Sequence, residues 1–142
     1  MRMGVYHLRI IAADKEFYNG KCESLIIPAF DGQKEILAHH EDMVIAVDDG
    51  EMRYKPEGST EWVRAVVGKG FVQIVNNRVI LLVETVERPE DIDIARAEAA
   101  KARAEEQMRQ KQSIQEYYHS SASLARAMAR LKAAGKEASI NL

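Results

Sequence analysis

The stretch Phe71-Val72-Gln73-Ile74-Val75-Asn76-Asn77-Arg78-Val79-Ile80-Leu81-Leu82-Val83-Glu84-Thr85-Val86-Glu87-Arg88-Pro89-Glu90-Asp91-Ile92-Asp93-Ile94-Ala95-Arg96-Ala97-Glu98-Ala99-Ala100 changes its physics just after Val86. Before that point, valine and isoleucine recur in short runs that suit a pleated, half-buried surface; after it, Ala, Glu and Arg, which are strong helix formers, take over. Residues 71–75 and 78–83 are apolar runs joined by Asn76-Asn77. Asparagine tolerates the positive φ of a two-residue turn, so the spacing predicts a β-hairpin. Downstream, Glu87-Arg88-Pro89-Glu90-Asp91-Ile92-Asp93 reads as a helix start, because proline fits a first turn and acids complement the positive end of the helix dipole. That helix is expected to run from about Pro89 or Asp91 to about Gln110.

The same break divides the whole chain of 142 residues. All eleven valines and seven of the eight glycines precede it, while thirteen alanines lie between Ala95 and Ala138 and no valine or threonine follows it. Working back from the hairpin, apolar runs around Tyr6-Leu8-Ile10, Leu25-Ile26-Ile27 after Gly20, Ile36-Leu37, residues 43–47, residues 50–54 and residues 62–67 alternate with turn signals such as Asp31-Gly32 and Pro56-Glu57-Gly58. This is the pattern of an antiparallel sandwich or barrel. Gly68-Lys69-Gly70 lacks phosphate-loop spacing and reads as a bulge or tight bend. Working forward, a break at Lys111-Gln112-Ser113 precedes a second helix, which Gly135 ends. Its stripe of Tyr117, Ser121, Leu124, Met128 and Leu131 is a seam for a partner helix. The first helix offers Ala95, Ala99 and Ala102 for close approach in an antiparallel hairpin. The expected architecture is an N-terminal antiparallel β-sandwich over 1–86, able to fold alone, and a C-terminal antiparallel helical hairpin over 87–142 with marginal packing.

Composition narrows function. Charged residues make up 30% of the chain and the net charge is -2, which argues against a partner chosen by overall charge. The single cysteine, Cys22, fits a reducing compartment, and no stretch approaches the roughly 20 apolar residues of a membrane-spanning helix. A cytoplasmic protein is expected. His39-His40 beside Glu41 and Asp42 reads as a solvated loop and not as a metal site, since adjacent strand residues point to opposite faces. No motif for hydrolase or zinc chemistry is present. From Tyr117 to Lys136 there are four basic residues, Arg126, Arg130, Lys132 and Lys136, and no acid. Arg126 and Arg130 share one side of the second helix, as Arg96 and Arg103 share one side of the first. If the hairpin closes, four guanidiniums can converge on one polyanion. A solvated face is the plain alternative, and a β-domain whose basic hairpin binds nucleic acid is the functional one.

In this order and spacing, Val66-Val67-Gly68-Lys69-Gly70-Phe71-Val72-Gln73-Ile74-Val75-Asn76-Asn77-Arg78-Val79 followed by the alanine-rich hairpin resembles the epsilon subunits of bacterial F-type ATP synthases, over essentially the full chain. The family's G-G-F-x-E-V-like strand and N-x-V strand are matched by Gly68, a shifted Gly70, Phe71, Val75 and the Asn77-to-Val79 pair, with Gln73 replacing the acid. Its I/L-D-x-x-R-A signature is matched by Ile92, Asp93, Arg96 and Ala97. The family loop G-E-x-G-I-L-P-G-H is matched at Gly32, Ile36, Leu37 and His40, with Gln33 for the acid and Ala38-His39 for Pro-Gly.

The resemblance implies a non-catalytic central-stalk subunit, with no required cofactor and no metal. The sandwich would sit against the gamma subunit and the membrane ring of c subunits, with His40 in the ring contact. The hairpin would regulate the catalytic alpha/beta hexamer, with Arg126, Arg130, Lys132 and Lys136 on the inhibitory helix. The resemblance further implies regulatory ATP held without hydrolysis between the helices by Glu87, Ile92, Asp93, Arg96, Ala97, Arg103, Arg126 and Arg130. Arginines give bidentate phosphate contacts and an aspartate can accept from an adenine amine. Membrane association would come only through the complex, at the cytoplasmic face of the bacterial cell membrane.

Overall fold

A computed structural model of the protein describes residues 4–13, 15–110 and 113–135. The chain divides into two compact units, Met1–Glu87 and Arg88–Leu142. The first is a nine-stranded sheet folded into a sandwich: β1 (Tyr6–Ala12), β2 (Lys15–Ala29), β3 (Gly32–Leu37), β4 (Met43–Val47), β5 (Gly50–Pro56), β6 (Val63–Val67), β7 (Gly70–Val75), β8 (Arg78–Val83) and β9 (Val86–Glu87). The strand order is β4-β7-β8-β1-β2-β5-β6-β9, with β3 also on β2. All neighbours are antiparallel except β1 and β8.

Alternation builds the core. β1 buries Tyr6, Leu8, Ile10 and Ala12, and the register sets Leu8 beside Val79 and Ile10 beside Leu81, with Ile74 and Val72 of β7 next in the two rows. Each fully buried Leu or Ile contributes about 1.5–3 kcal/mol. The expected hairpin is β7–β8, and both turn residues take left-handed conformations, Asn76 at φ 49° and Asn77 at φ 61°. Gly68-Lys69-Gly70 is the tight turn into β7, where a Cβ on Gly70 would run into the Leu82 backbone. Burial raises the pKa of the Tyr6 phenol well above its ordinary value and moves that of the Cys22 thiol up. Tyr6 still donates to the Ile36 carbonyl at 2.6 Å.

One strand is longer than the sequence pattern suggests. β2 runs fifteen residues straight through Gly20, which was expected to precede it. The Tyr18 ring lies over Gly20, its hydroxyl 2.9 Å from where a Cβ would stand, and donates to the Lys21 carbonyl at 2.7 Å. That cover replaces the missing side chain and keeps the strand extended. The first part of β2 pairs with β1; beyond an irregularity between Cys22 and Ser24 it pairs with β5 and β3, so it passes from one layer to the other.

In the second unit, Pro89–Asp91 forms a 3-10 turn, Ile92 is extended, and α1 (Ile94–Arg109) starts only after Asp93. The continuous helix expected from Pro89 or Asp91 is therefore interrupted, because the Asp93 side chain accepts the Arg96 N–H at 3.0 Å and acts as N-cap. α2 (Ile114–Ala133) opens with a capping box between Ser113 and Glu116. Gly135, at φ 81°, takes the left-handed position that ends it, as expected. Lys111 and Gln112 of the expected break lie outside the described residues.

The helices pack on each other, α1 through a face other than the one read from the sequence and α2 through Leu124 and Leu131 of the expected seam. Ala95, Ala99 and Ala102 are exposed; α1 buries Ala97, Ala104 and Glu105, flanked by half-buried Ile94, Lys101 and Met108. On α2 the buried row is Ser120, Leu124, Ala127 and Leu131, while Tyr117 is exposed and Ser121 and Met128 are half-buried. Spacings of three and four hold in both rows; six alanines on α1 gave the pattern no contrast by which to choose the correct one.

Candidate functional site

Two groups of residues were singled out by the sequence, one on each unit. On the sandwich, the loop after β3 is tied down at several points. The His39 N–H donates to Asn77 Oδ1 at 2.6 Å, Asn77 Nδ2 donates to the Val5 carbonyl at 3.1 Å, and the Asn76 N–H donates to Asp42 Oδ1 at 3.0 Å. The hairpin turn thus serves as an anchor for the loop that carries His40. His40 is half-buried and its Nδ1 donates to the Glu41 carbonyl at 2.8 Å, since a carbonyl oxygen can only accept. His39 stands where the resembling family has glycine, and its φ of 62° is the left-handed conformation that glycine adopts without cost.

On the helical unit, Ser120 Oγ donates to Gln107 Oε1 at 3.2 Å across the pair. Counting equal rises outward from that bond along two antiparallel helices sets Arg126 level with Lys101 and Arg130 level with Ala97. Each of the four expected arginines stands one position before a buried residue: Arg96 before Ala97, Arg103 before Ala104, Arg126 before Ala127, Arg130 before Leu131. One residue back is a rotation of about 100° about the helix axis. All four arginines therefore stand off the packed face of their own helices. Arg96 and Arg103 are exposed, and Arg126 and Arg130 are half-buried. Arg126 Nη2 donates to Ser123 Oγ at 3.0 Å, which holds the guanidinium along its own helix.

The other expected residues fall as follows. Asp93 is exposed, and its Oδ1 accepts the cap bond from the Arg96 N–H. Ile92 and Ala97 are buried. Glu87 belongs to β9, where it pairs with Val66 in the sheet of the first unit. Lys132 is exposed in the last turn of α2, and Lys136 lies outside the described residues. Among the described residues, no group of three His, Cys, Asp or Glu side chains could hold a metal ion.

Sequence reasoning missed a charge ladder on α1. Glu105 keeps only 4% of its surface exposed, with Lys101 Nζ at 3.3 Å from Oε1 and Arg109 Nη2 at 3.7 Å from Oε2. Its signal was available as charge spacing, with a cation four residues before the acid and another four after.

Comparison with known proteins covers both units. Residues 5–89 match the family described as ATP synthase, Delta/Epsilon chain, beta-sandwich domain, and residues 90–135 match its long alpha-helix domain. The chain is 42% identical over 134 residues to the ATP synthase epsilon chain of Ruminiclostridium cellulolyticum, spanning 94% of this chain and 98% of that relative. It is 40% identical over 132 residues to the ATP synthase epsilon chain of Caldanaerobacter subterraneus subsp. tengcongensis, spanning 92% and 94%. A chain in the cryo-EM structure of the Euglena gracilis mitochondrial ATP synthase shares the fold with a TM-score of 0.78 at 19% identity, spanning 94% of this chain and 84% of that one.

Proposed function

Because the chain belongs to the ATP synthase delta/epsilon chain family, we propose that it is a non-catalytic central-stalk subunit of a bacterial F-type ATP synthase whose helical unit regulates ATP hydrolysis. The observation that carries this reading is the match of both family domains, in order, across nearly the whole chain, with 42% identity to an epsilon chain of nearly equal extent. The sandwich is the coupling part. Its core holds the strands rigid, and the turn at Asn76-Asn77 fixes the loop carrying His40 so that this loop can meet the c-ring without having to be ordered on contact.

The helical unit is the regulatory part. Through Arg96, Arg103, Arg126 and Arg130 the closed pair offers a triphosphate permanently charged, fork-shaped donors. ATP that binds only the closed pair favours it by mass action. When ATP is scarce the pair opens, and the acid-free face of α2 with Leu124 and Leu131 becomes available to the gamma subunit and to acidic segments of the alpha/beta hexamer. Among the described residues no helix is long and apolar enough to cross a membrane, and contact with the membrane is assigned to the c-ring.

Tagged chain recovered from its native host should bring down the gamma, alpha and beta subunits; recovery of nucleic acid in their place would overturn the reading. Calorimetry on the isolated chain should register ATP binding that Arg126→Ala with Arg130→Ala removes, and no hydrolysis. Binding untouched by both substitutions would sink the nucleotide role while leaving the stalk role standing.

A further inference from the structure

A sheet presents unpaired backbone at its edges, and natural sheets guard those edges with charged side chains, proline or short strands. Three edges of the sandwich are guarded in this way. The first part of β2, which pairs only with β1, carries Lys15, Glu16 and Lys21; β3, which pairs only with β2, carries Lys34 and Glu35; β9 has two residues, one of them Glu87. β4 ends the strand order on the other side and reads Met43-Val44-Ile45-Ala46-Val47, with no charge, no proline and no glycine.

Its neighbours show which of its backbone groups are open. The Glu84 N–H donates to the Lys69 carbonyl at 2.9 Å, so alternation along β7 turns the backbone of Phe71, Gln73 and Val75 toward β8 and that of Gly70, Val72 and Ile74 toward β4. These last three lie opposite Val47, Ile45 and Met43, which leaves Val44 and Ala46 with their N–H and C=O groups directed away from the sheet. The Asp48 N–H, in phase with those two, donates to the Pro28 carbonyl of β2 at 2.9 Å and closes the edge just past Val47. Among the described residues no strand takes up the stretch before it. On the outer face, Val44 is 66% exposed, and Ala46, Phe71 and Val75 are exposed beside it.

Acids bracket this stretch, with Glu41 and Asp42 before it and Asp48 and Asp49 after it. A second copy laid antiparallel, so that Val44 meets Ala46 in both directions, sets Asp42 against Asp48 and Glu41 against Asp49. Like charges directly opposite are destabilising, so the bracket works against self-pairing and favours a strand with cations at its ends.

We propose that β4 is a docking edge for an extended segment of another protein, a short apolar run with Lys or Arg at each end, which joins the sheet as a further strand. Its backbone pairs with Val44 and Ala46, its apolar side chains extend the outer face made with Phe71 and Val75, and its cations meet the acids at the two ends. This goes beyond the function proposed above and involves neither nucleotide nor the helical unit.

The test is residue-resolved amide exchange by NMR on the full chain, alone and with a synthetic peptide whose Val-Thr-Val-Thr-Val centre carries two lysines at each end. The peptide should slow exchange at Val44 and Ala46 by about tenfold or more and leave Ile45, already bonded to β7, unchanged. The same centre with glutamates at its ends should have no effect. Ala46→Pro removes one outward donor and no bond to β7, so it should erase the protection at Val44 while the β7–β8 amides stay protected. Three results would each overturn the proposal: no protection of Val44 and Ala46 at millimolar lysine peptide, equal protection by both peptides, or protection in the chain alone that rises with its concentration, the mark of a second copy on the edge.

Discussion

In the sandwich, Leu8, Ile10, Leu25, Ile27, Ile36, Met52, Ile74 and Leu81 are all essentially without exposure; in the helical unit the buried set is Ala97, Ala104, Ala127, Ala133, Ser120 and Glu105, with Leu124 and Leu131 as its large members apart from Ile92. The first set removes several times more apolar surface per residue from water, and hydrophobic stabilisation scales with that area. The second is held by small contacts and caps at its ends. Under the proposed function, in which the sandwich couples and the helices change shape, this inequality is useful, because local opening then starts in the helices and leaves the sheet intact.

The inequality can be broken most forcefully from the sheet side. Leu81→Ala should cost the sandwich about 3 kcal/mol, whereas Leu124→Ala should abolish protection of α1 and α2 without shifting the unfolding midpoint of the sheet. Urea titration followed by Trp62 fluorescence for the sheet, with exchange for the helices, separates the two. If both substitutions moved both readouts together, the two units would be one cooperative body and the comparison would fail.

Capping gives a smaller effect confined to the helices. Asp93→Ala should cost α1 about 1 kcal/mol by removing the bond to the Arg96 N–H, while Asp93→Asn, an equally good cap, should leave its helicity unchanged. Circular dichroism reads the helix and ATP calorimetry reads the ligand. Weakened ATP binding in the Asn variant, with helicity kept, would separate a nucleotide contact from the cap.

The smallest expected change is a gain. His39→Gly should relieve the left-handed backbone at φ 62° and stabilise the sandwich by up to about 1 kcal/mol, reduced by the extra freedom glycine brings to the unfolded chain. A thermal scan monitoring the sheet checks it. A loss of stability would mean that the histidine side chain contributes more than its backbone strain costs.

The two units also differed in how far their structure could be read from residues alone. The β7–β8 hairpin was legible because turn chemistry at Asn76-Asn77 and a period of two agree. The break after Val86 was legible because valine and alanine segregate there. The course of β2 was not, since the cover of Gly20 by Tyr18 is a contact between neighbours on one strand that leaves no periodic trace. On α1, alanines at 95, 97, 99, 100, 102 and 104 make every face look alike, and the true face is marked by Glu105, a residue type that burial usually excludes. The arginines of the candidate site were legible as residues, but their levels along the pair became visible only once Gln107 and Ser120 had set the register. The capping duty of Asp93 was hidden behind the motif that contains it.

The division of labour between a persistent sheet and a releasable helix pair is tested most directly by ATP hydrolysis. Assembled complexes carrying either the full chain or a chain ending at Glu87, which keeps the β6–β9 pairing, are compared at low ATP and equal subunit content. The account predicts severalfold higher activity with the shortened chain, and a difference that shrinks as ATP rises and holds the pair closed. Equal activities across the ATP range, in complexes that still retain the shortened chain, would contradict it.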